Sequence, residues 1–187
     1  MSRQSTQPCQ SLEDLVRKSG RYQAQAYNFV RDGLDNAART IHGPLTPAQH
    51  VVSQFMCSAG VDLHEVIALF NKNQLDPQVA AAVHEAGGLE GLNRNISGQD
   101  LCWCLRDFAL KLWGMLAPLV LRRWGITSTS DFGRIVFDMV DHGFMQKEAH
   151  DVIDDFRDVF DFETAFKGRP ARRRSQNNDE FGQNAAD

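Results

Sequence analysis

Apolar residues recur at steps of three and four through most of this chain, which is the spacing of an amphipathic α-helix. The first clear example runs through Ala26, Val30, Leu34, Ala37 and Ile41. Gly43-Pro44 ends this pattern, because glycine suits the position after a helix and proline cannot continue one. No stretch alternates apolar and polar residues for long enough to predict a sheet. The pattern therefore predicts an all-α protein.

The most apolar segment covers residues 101–124 and keeps a helical spacing throughout. Gly114 and Pro118 interrupt it, and a proline inside a helix removes a hydrogen bond and clashes with the preceding turn. We therefore predict two helices or one strongly kinked helix, with the break near residues 114–116. Trp124 should end this apolar face in the core. The segment is also apolar over a wide surface, which favours an interaction role.

Composition and charge set the domain boundaries. The 187 residues are 42% hydrophobic, with a formal net charge of -4, which is typical of one globular domain. Residues 1–11 are polar, and residues 167–187 are rich in Asn, Gln and Arg, so neither end offsets the entropic cost of ordering. We predict a single compact domain of about six to eight helices at residues 12–166, between two disordered tails.

The same features bear on the compartment. No apolar stretch approaches the roughly 20 residues that a membrane span needs, and no basic-then-apolar leader stands at the start. The four cysteines form no CxxC pair, which favours free thiols, a cytoplasmic setting and no cofactor. Cys102 and Cys104 point apart on a helix, so we expect one thiol in the core and the other partly exposed.

The tail at residues 167–187 is the basic part of the chain. It holds five basic and three acidic residues, whereas residues 1–166 hold 15 basic and 21 acidic residues. Its Gly-Arg-Pro core resembles a hook that lays arginine along a narrow minor groove. One alternative function is therefore nucleic-acid or ribosome association through five residues: Lys167, Arg169, Arg172, Arg173 and Arg174.

An acidic segment gives a second alternative. The residues Asp151, Asp154, Asp155 and Asp158 fall at positions i, i+3, i+4 and i+7, which is the spacing of one helical face. Carboxylates attract divalent cations, so these four are weak metal candidates, although the solvated face of an amphipathic helix satisfies the same pattern. His142 and His150 are candidate bases beside it. A cryptic enzyme would use both histidines and the 151–158 face, but no nucleophile motif accompanies them.

Two blocks of residues resemble a known family. The first is Arg21-Tyr22-x-x-x-Ala26-Tyr27-x-Phe29-Val30-x-x-x-Leu34; the second comprises Ser97-Gly98-x-Asp100-Leu101, Ala109-Leu110, Trp124-Gly125-Ile126, Asp131-Phe132-Gly133-x-Ile135-Val136-Phe137 and Asp155-Phe156-x-x-Val159-x-Asp161-Phe162-x-x-Ala165-Phe166. They look like a family of small uncharacterised bacterial proteins, seen mainly in planctomycetes and verrucomicrobia. The resemblance implies a helical fold and no reaction. Against that pattern, Asn95 replaces a histidine and residues 44–92 look like an inserted helical segment.

The absence of a catalytic motif and the wide apolar face of residues 101–124 lead to one main hypothesis. We predict a helical interaction module that is not an enzyme and that binds another protein or a second copy of itself. The tail-based and metal- or histidine-based alternatives stay open at this point.

Overall fold

The computed structural model describes residues 11–145 and 152–167, and all regular elements in these residues are helical. The all-α prediction is confirmed. The helices are α1 Leu12–Ser19, α2 Ala24–His42, α3 Pro47–Ala59, α4 Leu63–Asn71, α5 Pro77–Glu85, α6 Gly88–Leu92, α7 Gly98–Trp113, α8 Ala117–Arg123, α9 Thr129–Asp141 and α10 Phe162–Ala165, with 3-10 helices at Gly114–Leu116 and Ile153–Phe156. Among them, no helix is both long and apolar enough to cross a membrane.

Helices α2, α7 and α9 build the main core. Tyr27, Leu105 and Phe132 are fully buried within it. Phe29 lies at its aromatic side, with ring centroids 5.3 Å from Trp113 and 6.1 Å from Trp124. Trp124, expected in the core, is half-buried there. These contacts fix the C-terminal ends of α7 and α8 against α2.

The segment that covers α3 to α6 has a hydrophobic cluster of its own. Its buried members are Ala48, Val52, Val66, Leu75, Val79, Ala82 and Val83. Capping boxes at Thr46 and Asp62 start α3 and α4, because each side chain accepts from the third helical amide and the third side chain accepts from the cap's own amide. The inserted segment predicted at residues 44–92 thus coincides with a separate centre of packing.

The break in the long apolar segment lies where the sequence predicts it. Helix α7 ends at Gly114, whose φ of 54° is favourable only for glycine. One 3-10 turn follows, and Pro118 then sits in the first turn of α8, where its missing N–H costs nothing. The chain therefore forms two helices rather than one kinked helix.

The predicted helical face at residues 151–158 is wrong for the described part of that segment. Only Ile153–Phe156 is helical, as a short 3-10 turn, and Asp158 has a φ of 49°. The cause is Phe156, whose buried ring packs against Gly98 of α7 and Gly133 of α9. Anchoring this ring bends the backbone out of an α-helix, so Asp154, Asp155 and Asp158 share no helical face.

The expectation for the two cysteines of α7 is also wrong. Cys102 and Cys104 are both buried. Helix α7 contacts α2, α9 and the 3-10 helix Ile153–Phe156, so opposite faces of it are covered. Burial raises the pKa of the Cys102 thiol to about 12, which makes it a packing group rather than a reactive one.

Candidate protein-interaction surface

Four large apolar side chains stand exposed at the junction of α7 and α8. Leu112 is 50%, Met115 86%, Leu116 64% and Leu119 70% exposed. We call these four residues the apolar ridge. The other large apolar residues exposed in the described chain reach at most 50% and are spread over three other segments. The ridge is therefore the main concentration of exposed apolar surface in residues 11–145 and 152–167.

The local sequence explains why the ridge points outward. Helix α8 buries Ala117 and Leu121, which lie one turn apart on one face. Leu119 lies between them in sequence and so falls on the opposite side of this short helix. The turn at Gly114 shifts Met115 and Leu116 away from the buried face of α7. The break between the helices thus presents apolar side chains that the core has no room to cover.

A groove of about 860 Å³ runs beside the ridge. One wall comes from α8 and the preceding turn, through Met115, Pro118 and Arg122. The other wall comes from the C-terminal segment and contains three aromatic and three acidic residues: Phe160, Phe162, Phe166, Asp158, Asp161 and Glu163. We call this the acidic groove. Lys167, the one described member of the predicted basic set, also lines it.

The two walls carry opposite charge. From residue 108 to residue 130 the only charged side chains are Lys111, Arg122 and Arg123, which border the ridge. The C-terminal wall contains three acidic residues and one cation, Lys167. Within the described residues, neither Arg122 nor Glu163 makes an ion pair. Unused charge of both signs therefore lies on one face of the molecule.

Buried contacts hold the acidic wall in place. Arg106 of α7 is 5% exposed, and its Nε and Nη2 atoms donate to the carbonyl oxygen of Ala165 at 2.9 and 2.7 Å. Its Nη1 atom pairs with Asp107 at 2.6 Å. Bonds from a guanidinium to a carbonyl fix both distance and direction. The groove is therefore a formed feature of the fold.

The most buried carboxylate in the described chain is Asp131, near the start of α9. Ser128 is the N-cap of this helix, and Asp131 completes a capping box from the third helical position. Its oxygens accept from the Tyr22 hydroxyl at 2.7 Å, the Thr127 amide at 2.9 Å and Arg134 at 3.0 Å.

The electrostatics of Asp131 follow from these partners. Burial by itself raises its pKa, but the hydrogen bonds from Thr127, Tyr22 and Ser128 outweigh burial, so the pKa is lowered. The same environment raises the pKa of Tyr22, first through burial and then through Asp131. The described chain contains no buried side-chain nitrogen or oxygen without a hydrogen bond. The Asp131 network is closed and has a structural role.

The predicted catalytic and metal residues do not come together in the described chain. His142 ends α9, with Nδ1 2.8 Å from the Asp138 carbonyl oxygen. Asp154 pairs with Arg157 at 3.0 Å. His150 and Asp151 lie outside the described residues, as do the arginines at 169 and 172–174. Among residues 11–145 and 152–167, no three His, Cys, Asp or Glu side chains are grouped to hold a metal ion.

A smaller cavity of about 370 Å³ lies between the two hydrophobic clusters. Its walls include Leu34 from the main core and Met56 from the second cluster. Arg94 crosses there and donates from Nη2 to the carbonyl oxygens of Ala38 and Gly43. This cavity lies where the two hydrophobic clusters meet.

Comparison of the chain with protein-family models, with curated proteins and with solved structures gives no match. The resemblance to a planctomycete and verrucomicrobial family stays a prediction. The apolar ridge and the acidic groove are therefore the features on which a function can be based.

Proposed function

We propose that this protein is a helical interaction module that is not an enzyme and that binds a protein through the apolar ridge. The observation that carries the proposal is the exposure of Leu112, Met115, Leu116 and Leu119 on adjoining turns. Burying each such side chain is worth roughly 1.5–3 kcal/mol when the burial is complete. A contiguous apolar patch with a polar rim is the surface feature that most often marks an interaction site.

The surroundings of the ridge support this role. Lys111, Arg122 and Arg123 are exposed and lie within four residues of the ridge in sequence, so they place polar groups beside an apolar centre, as the rim of a protein interface does. The ridge is mounted on helices whose inner faces are packed, so binding orders few groups and loses little entropy. Cys57, Cys102 and Cys104 are free thiols, which supports a reducing compartment such as the bacterial cytoplasm as the setting.

Site-specific photo-crosslinking tests the proposal. A benzophenone amino acid replaces Leu119 in one sample and Arg39, an exposed residue of α2, in a control sample. After irradiation in nuclease-treated extract of the cells that make the protein, we expect discrete protein adducts at position 119 that position 39 does not give. Nuclease treatment removes adducts that nucleic acid would bridge through the tail. Equal adduct patterns at both positions would refute the proposal.

A charge substitution provides a second measurement. Leu119→Glu should abolish the adducts formed from a benzophenone at Met115, because a carboxylate in the centre of an apolar interface is desolvated without a partner. Ile41→Glu is the matched control, since Ile41 is also an exposed apolar helical residue, 36% exposed on α2. Both variants should keep the circular-dichroism spectrum and melting temperature of the unmodified protein.

A further inference from the structure

We infer that the partner of the apolar ridge is a second copy of the same chain, in a two-fold dimer where the ridge of each protomer lies in the acidic groove of the other. This inference rests on the proposed function and names its partner. It follows from the shape and charge of one continuous face.

A two-fold interface must be complementary to itself, since the same patch contributes from both subunits. The face around α8 meets this condition because it contains a convex part and a concave part side by side. The ridge projects from α8, and the groove begins at Met115, Pro118 and Arg122, which belong to the same helix and the turn before it. One axis near α8 therefore allows both ridges to enter both grooves at once.

The apolar parts match in the same way. The ridge offers unbranched or γ-branched side chains, and the C-terminal wall of the groove contains the rings of Phe160, Phe162 and Phe166. These rings are already packed on one another, with centroids of Phe160 and Phe162 5.7 Å apart and of Phe162 and Phe166 5.1 Å apart. Methionine and leucine side chains adapt well to such aromatic surfaces.

Charge complementarity separates a second copy from other partners. Arg122 and Arg123 follow Leu119 on α8, where Arg122 also lines the near wall of the groove, and Asp158 and Glu163 line its far wall. An acidic partner would match only the first pair and a basic partner only the second. A two-fold copy pairs the basic border of each protomer with the acidic border of the other, so each complementary contact is made twice. Electrostatic complementarity of this kind fixes the register of an interface.

The mass of the full chain in solution gives the first test. At about 100 μM protein and near-physiological salt, where a dimer of micromolar Kd is nearly complete, light scattering should give twice the 21.0 kDa mass of one chain. Leu119→Glu should give the mass of one chain, and Ile41→Glu should keep the dimer. A single-chain mass for the unmodified protein at this concentration would overturn the inference.

A charge-exchange pair gives the decisive test. In a dimer of the Arg122→Glu variant, the carboxylate introduced in each protomer faces the acidic Glu163 of the other. In a dimer of the Glu163→Lys variant, the introduced ammonium group faces the basic Arg122. Each variant alone therefore brings like charges together twice and should raise the Kd of dimerisation about tenfold or more. In an equimolar mixture each ridge meets a groove of opposite charge, so the mixture should form heterodimers with a Kd close to that of the unmodified protein. Failure of the mixture to recover dimerisation would overturn the inference.

Cross-link mapping makes the outcome independent of these variants. A benzophenone at Leu119 should attach to residues 158–167 of a second copy, identified by isotope labelling of one of two mixed preparations. If the adducts at position 119 contain only other proteins and light scattering gives the mass of one chain, the dimer inference is wrong, but the proposal of an interaction module is still supported. The loss of all adducts specific to position 119 would remove both proposals.

Discussion

Phe156 anchors the 3-10 helix that precedes the acidic wall of the groove, and its replacement tests how this segment packs on α7 and α9. The ring is 5% exposed and lies between two helices at positions where both have glycine. A Cβ atom added at Gly98 would lie 2.8 Å from the Phe156 Cε2 atom, and one added at Gly133 would lie 2.7 Å from its Cβ atom. Phe156→Ala should therefore lower the free energy of unfolding by about 3–5 kcal/mol, the range for deleting a core phenylalanine.

The glycine on the other side of the contact gives a matched perturbation. Gly133→Ala forces the added methyl group against Phe156, which costs roughly 1–3 kcal/mol of overpacking. The gain in helix propensity, about 1 kcal/mol, offsets part of that cost. In the double variant the close contacts of the new methyl group with the Cγ and Cδ2 atoms of the ring are gone, but its 2.7 Å contact with the Cβ atom of residue 156 remains, because alanine keeps that atom. Part of the overpacking is therefore relieved, and the double variant should be more stable than the sum of the single changes predicts, by about 0.5–1 kcal/mol.

Urea unfolding followed by far-ultraviolet circular dichroism measures all three free energies. Phe55→Ala, in the second hydrophobic cluster, is the control because it has no contact with Gly133. Its effect should add to that of Gly133→Ala within about 0.3–0.5 kcal/mol. Two results would show that the glycine positions do not determine how this segment packs. One is that the effects of Phe156→Ala and Gly133→Ala on the free energy of unfolding add within about 0.3–0.5 kcal/mol. The other is that Phe156→Ala lowers this free energy by less than about 1 kcal/mol.

Three further results are expected. Trp124→Ala should lower the free energy of unfolding by about 2–3 kcal/mol, below the 3–5 kcal/mol of a fully buried ring, and no loss in urea unfolding would place this ring outside the core. Asp131→Asn should cost about 2–3 kcal/mol at neutral pH, because charged hydrogen bonds are lost. Since the pKa of Asp131 is lowered, its carboxylate stabilises the fold above its ordinary pKa of 3.8, and this contribution disappears as pH falls through the lowered value. The difference in unfolding free energy between the variant and the unmodified protein should therefore narrow from about pH 5 to about pH 2. A difference that stays constant over this range would contradict the lowered pKa of Asp131. In a Cys9→Ser background, a thiol reagent should modify Cys57 rapidly and Cys102 only on unfolding. The reason is that Cys57 is exposed, whereas burial holds the pKa of Cys102 at about 12. Equal modification rates, measured by mass spectrometry, would be inconsistent with the burial of Cys102.

Local chemistry was enough to predict where helices begin and end. Gly43-Pro44, Gly114 and Pro118 lie at helix boundaries for the reasons that their backbone restrictions give. The 3.6-residue period was enough for the all-α class. These features depend on residues that are close in sequence, so a single amino-acid sequence is enough to predict them.

Features that depend on distant contacts were not predictable in this way. The spacing at residues 151–158 indicates a helix, but the ring of Phe156 packs into a notch formed by Gly98 and Gly133, and this distant contact takes precedence. The periodicity of α7 cannot tell that both of its faces are covered, so the burial of Cys102 and Cys104 was missed. The apolar pattern of residues 101–124 indicated a wide surface, but only the packing of Ala117 and Leu121 shows that Leu119 is left outside.

The presence of two separate hydrophobic clusters has a consequence for cooperativity. Residues 47–92 bury their apolar side chains mainly among themselves. Polar bonds hold together the chain segments on either side of this unit, since Arg94 donates to the carbonyl oxygens of Ala38 and Gly43 and the His42 ring lies 3.0 Å from the Asn95 carbonyl oxygen. Such a unit can open by itself, at a free energy below that of global unfolding. Amide hydrogens of α3 to α5 should then exchange sooner than those of α2, α7 and α9. Substitutions that weaken the smaller unit would speed its proteolysis while the ridge and the groove, which belong to the other unit, keep their shape.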